Sequence, residues 1–449
     1  MFKAILESPL FLYLTQSVWR DEAYSILIAQ KPIFTYFKLS FEPPLYYTIL
    51  HFWIKLFGTS EIAVRSLSFI SFCISVYAVW LVAKKLFKSD WLTWFLPLFY
   101  FINPMLLYYA FEARAYGMYM AFTMLSTYFY LEKKWLWYVC FTALGLYTHA
   151  YMVFVVFIQI VHFGMFEISL HKLSLRTLYT NSFIRACIAL CVLFIPWTVK
   201  MIIDIPRLTQ SWYYPVDSQL FKSALGNIFL GYEGTPWNLW IFTQRVSIII
   251  AVLTMAGAIV RRNKSSTWYF FLLLYVPLFT ILCISLVKPL YVMRYLIPST
   301  IAEIFLIAIF IQGIHHHVFK KIVAVAILVT TCSFSIWYAP YHKKIDMKNT
   351  LRQINALQSA SDVIMVDDAL IIYEAMYYNT SNSSVYWYNP NNYSFPWYIG
   401  DYIIRSSQIV REFPEYPKRA FFIHQNGNYE IMYRTPISSH GSISPLNKK

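Results

Sequence analysis

Trp19-Arg20-Asp21-Glu22-Ala23-Tyr24-Ser25 sets two adjacent carboxylates beside an arginine, in a chain that otherwise reads largely as apolar runs. Two more acidic motifs follow: Glu42-Pro43-Pro44-Leu45-Tyr46-Tyr47, and Glu112-Ala113-Arg114 between two later apolar runs. Charge at a membrane boundary is costly and tends to mark a functional surface. The three motifs outline one site if the topology brings them to one face.

Of the 449 residues, 58% are hydrophobic and 13% charged, against about 25% charged in a soluble domain. This is the composition of an integral membrane protein. Aromatic residues make up 20%, and Trp and Tyr favour the headgroup zone. Only 12 glycines lead one to expect little small-residue helix packing. A net charge of +15 alone would suit a nucleic-acid partner. The basic residues, however, stand at ends of apolar runs: Lys84, Lys85 and Lys88; Lys133 and Lys134; Arg261, Arg262 and Lys264; Lys320 and Lys321. That is the positive-inside pattern of a multispanning protein and argues against nucleic acid. Cys187 and Cys191 share a helical face, but without a nearby histidine they read as packing residues, and no metal site is expected.

A span needs about 20 apolar residues. Candidates cover roughly 65–87, 91–110, 115–131, 135–149, 150–168, 185–201, 241–260, 267–287, 295–313 and 321–339, about ten in all. The basic ends belong in the cytoplasm, so 1–64, 110–114, the turn near 149, 202–240, 288–294 and everything past 340 face outward. Asp21, Glu42 and Glu112 then share the outer face. Residues 1–19 are too polar and too short to span, and they lack the basic start and cleavage site of a signal peptide. Past 340 the character changes. Residues 348–359 carry helix spacing, 362–368 read as a buried strand ending in acids, and 420–424 as another strand. The expected organisation is a membrane domain over 1–340, with a first outer loop at 20–64, and a small α/β domain over 341–449.

A carboxylate beside a cavity at the membrane surface suits general-base work on a hydroxyl or amine. Arg65, Arg114 and Arg294 fall near outer ends of spans, and the arginine fork suits phosphate oxygens. Removing a sugar from a lipid phosphate needs such a set, since phosphate leaves readily once its charge is stabilised. The bland alternative is that the acids are solvated or cap helices, with Glu22 capping the helix that starts near Ala23 and Arg114 pairing with Glu112. His149, at an outer turn, reads first as a structural histidine and second as a donor contact. His315, His316 and His317 read as a solvated helix end. Trp212, Tyr213, Tyr214, Trp237 and Trp240 suit either an interface or a sugar face. Glu303 is the main mid-span charge and is expected near an outer end.

Trp19 to Ser25, Pro43-Pro44-Leu45-Tyr46-Tyr47, Leu56-Phe57-Gly58-Thr59-Ser60-Glu61 and Arg65 resemble the first outer loop of the bacterial glycosyltransferase family 39 membrane proteins. These are similar to protein O-mannosyltransferases and lipid A aminoarabinose transferases, of the GT-C fold. Glu112-Ala113-Arg114-Ala115-Tyr116 resembles the second-loop motif, and Arg294-Tyr295-Leu296-Ile297-Pro298 the start of a late helix. The resemblance covers roughly 17–340. It implies an α-helical polytopic bundle in the bacterial inner membrane, with the active site and the C-terminal α/β domain extracytoplasmic. It implies transfer of a sugar from a polyprenyl-phosphate carrier to a lipid, protein or polysaccharide acceptor, with inversion. By the same resemblance Asp21 is the base, with Glu22 the weaker candidate beside it. Glu112 positions donor or acceptor, and Arg294, with Tyr295 next to it, holds the lipid phosphate. Glu42 stands where many relatives have Asp or His, which leaves its role open. The resemblance implies a spanning helix before Asp21 that residues 1–19 do not supply, so either the N-terminus lies outside or a preceding first helix is expected to be missing from this sequence. No cofactor is called for, and a divalent cation stays open. The competing classes are a transporter or flippase of lipid-linked sugars, for which mid-span charge is sparse, and a scaffold that leaves the acidic first loop unexplained.

Overall fold

In a computed structural model the described residues are 8–34, 37, 42–88, 90–167, 180–204, 206, 215–234, 236–261, 264–381, 383–400 and 402–435. The chain divides into two compact units, Met1–Gln16 with Ala29–Lys343, and Ser17–Ile28 with Lys344–Lys449.

The first unit is helical. Among the described residues six helices are long and apolar enough to cross a membrane, and seven if the bent pair Leu92–Ile102 and Pro104–Ala110 counts as one. The chain is a multi-pass membrane protein. This length test does not reach the expected ten. Of the candidates, 115–131, 135–149 and 150–168 form the helices Tyr116–Leu131, Trp135–Leu146 and Met152–Phe166, of 16, 12 and 15 residues. At 1.5 Å per residue these reach only about 18 to 24 Å, short of a core of about 30 Å. The bend of 63° falls at Asn103-Pro104. Proline lacks the N–H needed to continue a helix but suits the first position of a new one. The Asn103 side chain accepts the Leu106 N–H at 3.1 Å and donates to the Phe229 carbonyl at 2.9 Å, which fixes the break.

The few glycines do mediate close helix packing, contrary to the expectation from their number. A Cβ at Gly117 would lie 2.1 Å from the Ser68 carbonyl oxygen, and one at Gly257 would lie 2.6 Å from that of Leu306. Backbones approach this closely only where a side chain is missing. Glu303 lies at the midpoint of the span Met293–Gly313 rather than near its end. It is fully buried, and neither carboxylate oxygen has a hydrogen-bond partner among the described residues. His316 caps the helix His317–Tyr338 by accepting the Phe319 N–H at 3.2 Å.

The second unit holds a five-stranded sheet of order β3-β2-β1-β4-β5. Its strands are β1 Val363–Val366, β2 Val385–Tyr388, β3 Ile409–Val410, β4 Ala420–Ile423 and β5 Tyr429–Met432. The pairs β3–β2, β2–β1 and β1–β4 are parallel, and β5 is antiparallel to β4. The expected helix and two strands appear as Met347–Leu357, β1 and β4. Every residue of β1 is buried, as a strand covered on both faces should be. Asp362 precedes it and is clamped by Arg419 at 2.6 Å.

The second unit takes up Ser17–Ile28 together with the residues from Lys344 onward. The reason is packing. Tyr24 lies 5.6 Å from Tyr373, ring to ring, and passes so close to Gly400 that a Cβ there would sit 2.0 Å from it. The Tyr378 hydroxyl accepts the Val18 N–H at 2.7 Å, and Ser17 donates to Asp346 at 3.1 Å.

Candidate active site

Within the first unit the broken helix pair delivers the second acidic motif. After Pro104–Ala110 the chain turns tightly, with the Arg114 N–H on the Glu112 carbonyl at 2.7 Å. Glu112 and Arg114 are buried, and the Tyr108 hydroxyl hydrogen-bonds Glu112. Arg114 reaches Glu42 at 2.5 Å and the Tyr47 hydroxyl at 3.4 Å, so the first and second motifs meet here. Arg114 is thus paired through its side chain with Glu42, where Glu112 was the partner considered from sequence.

The late arginine arrives from another element. Met293–Leu296 forms a short 3-10 turn ahead of Ile297–Gly313. Its Arg294 is buried and lies 3.5 Å from Glu233. Tyr109 donates to the same Glu233 carboxylate. Glu233 and Tyr109 were not singled out in the sequence. The available signal was the turn Gly231-Tyr232-Glu233-Gly234. Gly231 has φ +72°, ends the helix Ser218–Leu230 and passes close to the Met105 backbone, while Gly234 has φ +102°. Two left-handed glycines bracketing an acid are a cheap way to aim it.

Arg114 and Arg294 come close enough to Tyr116 and His149 to act on both electrostatically. His149 stacks on Tyr119 with centroids 4.3 Å apart and meets Tyr295 edge-on at 5.0 Å. Burial, reinforced by the two arginines, pushes its imidazole down to about 3. It is therefore neutral, and Nδ1 accepts the Tyr151 N–H at 3.2 Å. The structure brings together Glu42, Glu112, Arg114, His149, Arg294 and Tyr295, with Glu233, Tyr109 and Tyr116 among them. Two guanidinium groups among tyrosine rings suit a phosphate bearing a sugar, and the carboxylates suit sugar hydroxyls.

Arg65 does something else. Only 1% exposed, it donates to the carbonyl oxygens of Leu14 and Gln16 at 3.2 and 2.6 Å. Those carbonyls end the short helix Pro9–Thr15, which has no following turn to bond them. In this structure Arg65 caps the C-terminal end of that helix.

Asp21 and Glu22 belong to the second unit. Asp21 pairs with Arg20 at 2.9 Å and is partly accessible. Glu22 is buried and accepts the Trp19 N–H at 3.3 Å, which makes it the reciprocal half of a capping box on Arg20–Ala29. Buried Glu374 takes the Arg20 N–H. Glu22 therefore performs a capping role. Trp212, Tyr213 and Tyr214 lie outside the described residues, while Trp237 is exposed and Trp240 packs against Tyr232 at 5.2 Å. Among the described residues no group of three or more His, Cys, Asp or Glu side chains is arranged to hold a metal ion.

No family model and no curated protein sequence matches the chain. Solved structures do. ArnT from Cupriavidus metallidurans in the apo state matches at TM-score 0.51, and the same protein bound to undecaprenyl phosphate at 0.57. Each is 12% identical, over 94% of this chain and 92% of that one. The chain has that fold, in agreement with the expectation from the first-loop resemblance.

Proposed function

We propose that this protein is a membrane glycosyltransferase that moves a sugar from a polyprenyl-phosphate carrier to an acceptor on the outer face of the bacterial inner membrane. The observation that carries this reading is the shared fold, along nearly the whole chain, with a structure that holds undecaprenyl phosphate. The pairing of buried Arg294 and Arg114 around Tyr116 and His149 supports it. Arg294 holds the departing phosphate, Arg114 is oriented by Glu42, and Glu112 orients donor or acceptor. Asp21 takes the proton of the attacking acceptor group. The acceptor atom bonds to the anomeric carbon from the face opposite the carbon–oxygen bond to phosphate. That bond breaks with its electron pair on the phosphate, and the configuration inverts.

The test uses purified full-length protein and a labelled polyprenyl-phosphate sugar. Release of polyprenyl phosphate, abolished in a folded Asp21→Asn variant, supports the reading. Full activity of that variant removes Asp21 from the mechanism. Movement of intact lipid-linked sugar between leaflets without transfer assigns a flippase instead.

A further inference from the structure

At the end of the helical bundle opposite Arg114 and Arg294 lies a cavity of about 290 Å³. The same helices that begin or end at the candidate site have their other ends here. The helix Tyr116–Leu131 starts at Tyr116 of that site and ends at the cavity-lining Leu131, 15 residues on, which is about 22 Å. The cavity is lined by five cations, Lys85, Lys88, Lys133, Arg261 and Lys264, and by one acid, Glu167. Lys85 pairs with Glu132 at 2.6 Å and Lys133 with Glu167 at 2.7 Å. Lys88, Arg261 and Lys264 have no ion pair among the described residues.

The positive-inside bias accounts for basic residues at this end. It does not account for their convergence from four separate helix ends on one cavity, nor for the backbone that carries two of them. Lys88 and Lys133 have φ of +58° and +55°, a conformation that L side chains avoid and that glycine ordinarily supplies at a helix end. Their lysine side chains are held against that cost. The floor is built rather than open: buried His162 bonds the Tyr130 hydroxyl at 2.7 Å and the Ser265 carbonyl at 2.8 Å. The cavity sits at helix ends, the depth of lipid headgroups, with Leu86, Phe87 and Trp135 among its lining.

We propose that this cavity binds a phosphate group, and that its source is the headgroup of an anionic phospholipid of the basic-side leaflet. Unpaired cations between helix ends at headgroup depth form the kind of pocket that recognises such groups.

The experiment follows thermal unfolding of the full-length protein in neutral detergent with added phosphatidylglycerol, phosphatidylcholine or soluble glycerol phosphate. Phosphatidylglycerol should raise the midpoint, phosphatidylcholine should not, and added salt should weaken the response. In Lys88→Gln/Arg261→Gln/Lys264→Gln the apparent affinity for phosphatidylglycerol should fall roughly a hundredfold, at about fivefold for each cation removed. The single variant Arg261→Gln, which tests the idea if the triple variant does not fold, should lose about fivefold. Glycerol phosphate matching the lipid response, and lost in the same variants, supports the phosphate site and reassigns its source to a soluble ligand. An unchanged response in the variants, or an equal response to phosphatidylcholine, overturns the proposal.

Discussion

Arg114 meets Glu42 at 2.5 Å and thereby ties the turn after the broken helix to the first acidic loop. Arg114 is nearly buried while the Glu42 side chain is more than a third exposed, so the arginine depends on its partner for orientation more than for energy. Glu42→Gln should raise the KM for the lipid-linked donor several-fold with little change in unfolding temperature. Arg114→Ala should lower kcat/KM at least about a hundredfold, because a buried guanidinium that binds phosphate acts chiefly in the transition state. Steady-state kinetics of both variants separate the roles, and equal small losses would show Arg114 to be structural only.

Arg65 should behave in the opposite way. Its loss leaves the Leu14 and Gln16 carbonyls without their charged donor, so Arg65→Ala should destabilise by about 2 to 3 kcal/mol while the surviving folded enzyme keeps its donor KM. Unfolding of the variant alongside its kinetics checks this. A raised KM at unchanged stability would return Arg65 to the substrate site.

Glu374 predicts a pH dependence in the second unit. Burial, the main cause, and nearby Glu22 push its carboxyl up to about 8, against the opposing pull of the Arg20 N–H and the charges of Lys344 and Arg20. The folded unit therefore keeps a proton that the unfolded chain gives up near its ordinary value. The stability this supplies is complete below about 4.5 and is lost steadily as pH rises through about 8. Hydrogen exchange of amides 17–28, corrected for intrinsic rates, should show protection falling across that window and levelling above it. Glu374→Gln should flatten the slope. A flat profile in the native protein would mean that the carboxylate is ionised and fully paired.

Gly117 gives a packing test. A methyl there would collide with the Ser68 carbonyl, and backbone has no rotamer with which to yield. Gly117→Ala should separate the helices Glu61–Phe87 and Tyr116–Leu131 and displace Arg114, whose carbonyl accepts from Ser68 at 3.0 Å. The expected result is a loss of about 2 kcal/mol or more together with reduced activity. Activity lost at full stability would show that the damage is confined to the arginine.

Periodicity and charge placed most of the long helices, because hydrophobic length and basic ends are local properties of the chain. The candidates at 135–149 and 150–168, short and separated only by His149-Ala150, were open in the sequence to two short helices or one re-entrant element, and they form two short helices, Trp135–Leu146 and Met152–Phe166. Strand β2 was missed because Val385–Tyr388 is four residues long and sits in an Asn/Ser-rich stretch that reads as loop. At the candidate site Glu112, Arg114 and Arg294 were legible as motifs. Glu233 was not, since its meaning depends on Arg294, 61 positions later in the chain. The carbonyl contacts of Arg65 were not legible, because a cation near a helix end looks the same whether it serves phosphate or carbonyl oxygens.

The attachment of Ser17–Ile28 to the residues past 343 also sets a timetable for biosynthesis. Val18 and its partner Tyr378 are 360 positions apart. At translation rates of about 5 to 20 residues per second, the N-terminal helix waits roughly 20 to 70 s for the chain that will cover it. During that interval Ala23 and Ile26, fully enclosed in the finished fold, have no native surface to rest on. Every intervening helix is made first, so the candidate base Asp21 acquires its final surroundings only after the residues past 343 are made. A nascent chain interrupted before residue 344 would carry the arginines and Glu112 yet leave the carboxylate proposed to act on the acceptor without its scaffold.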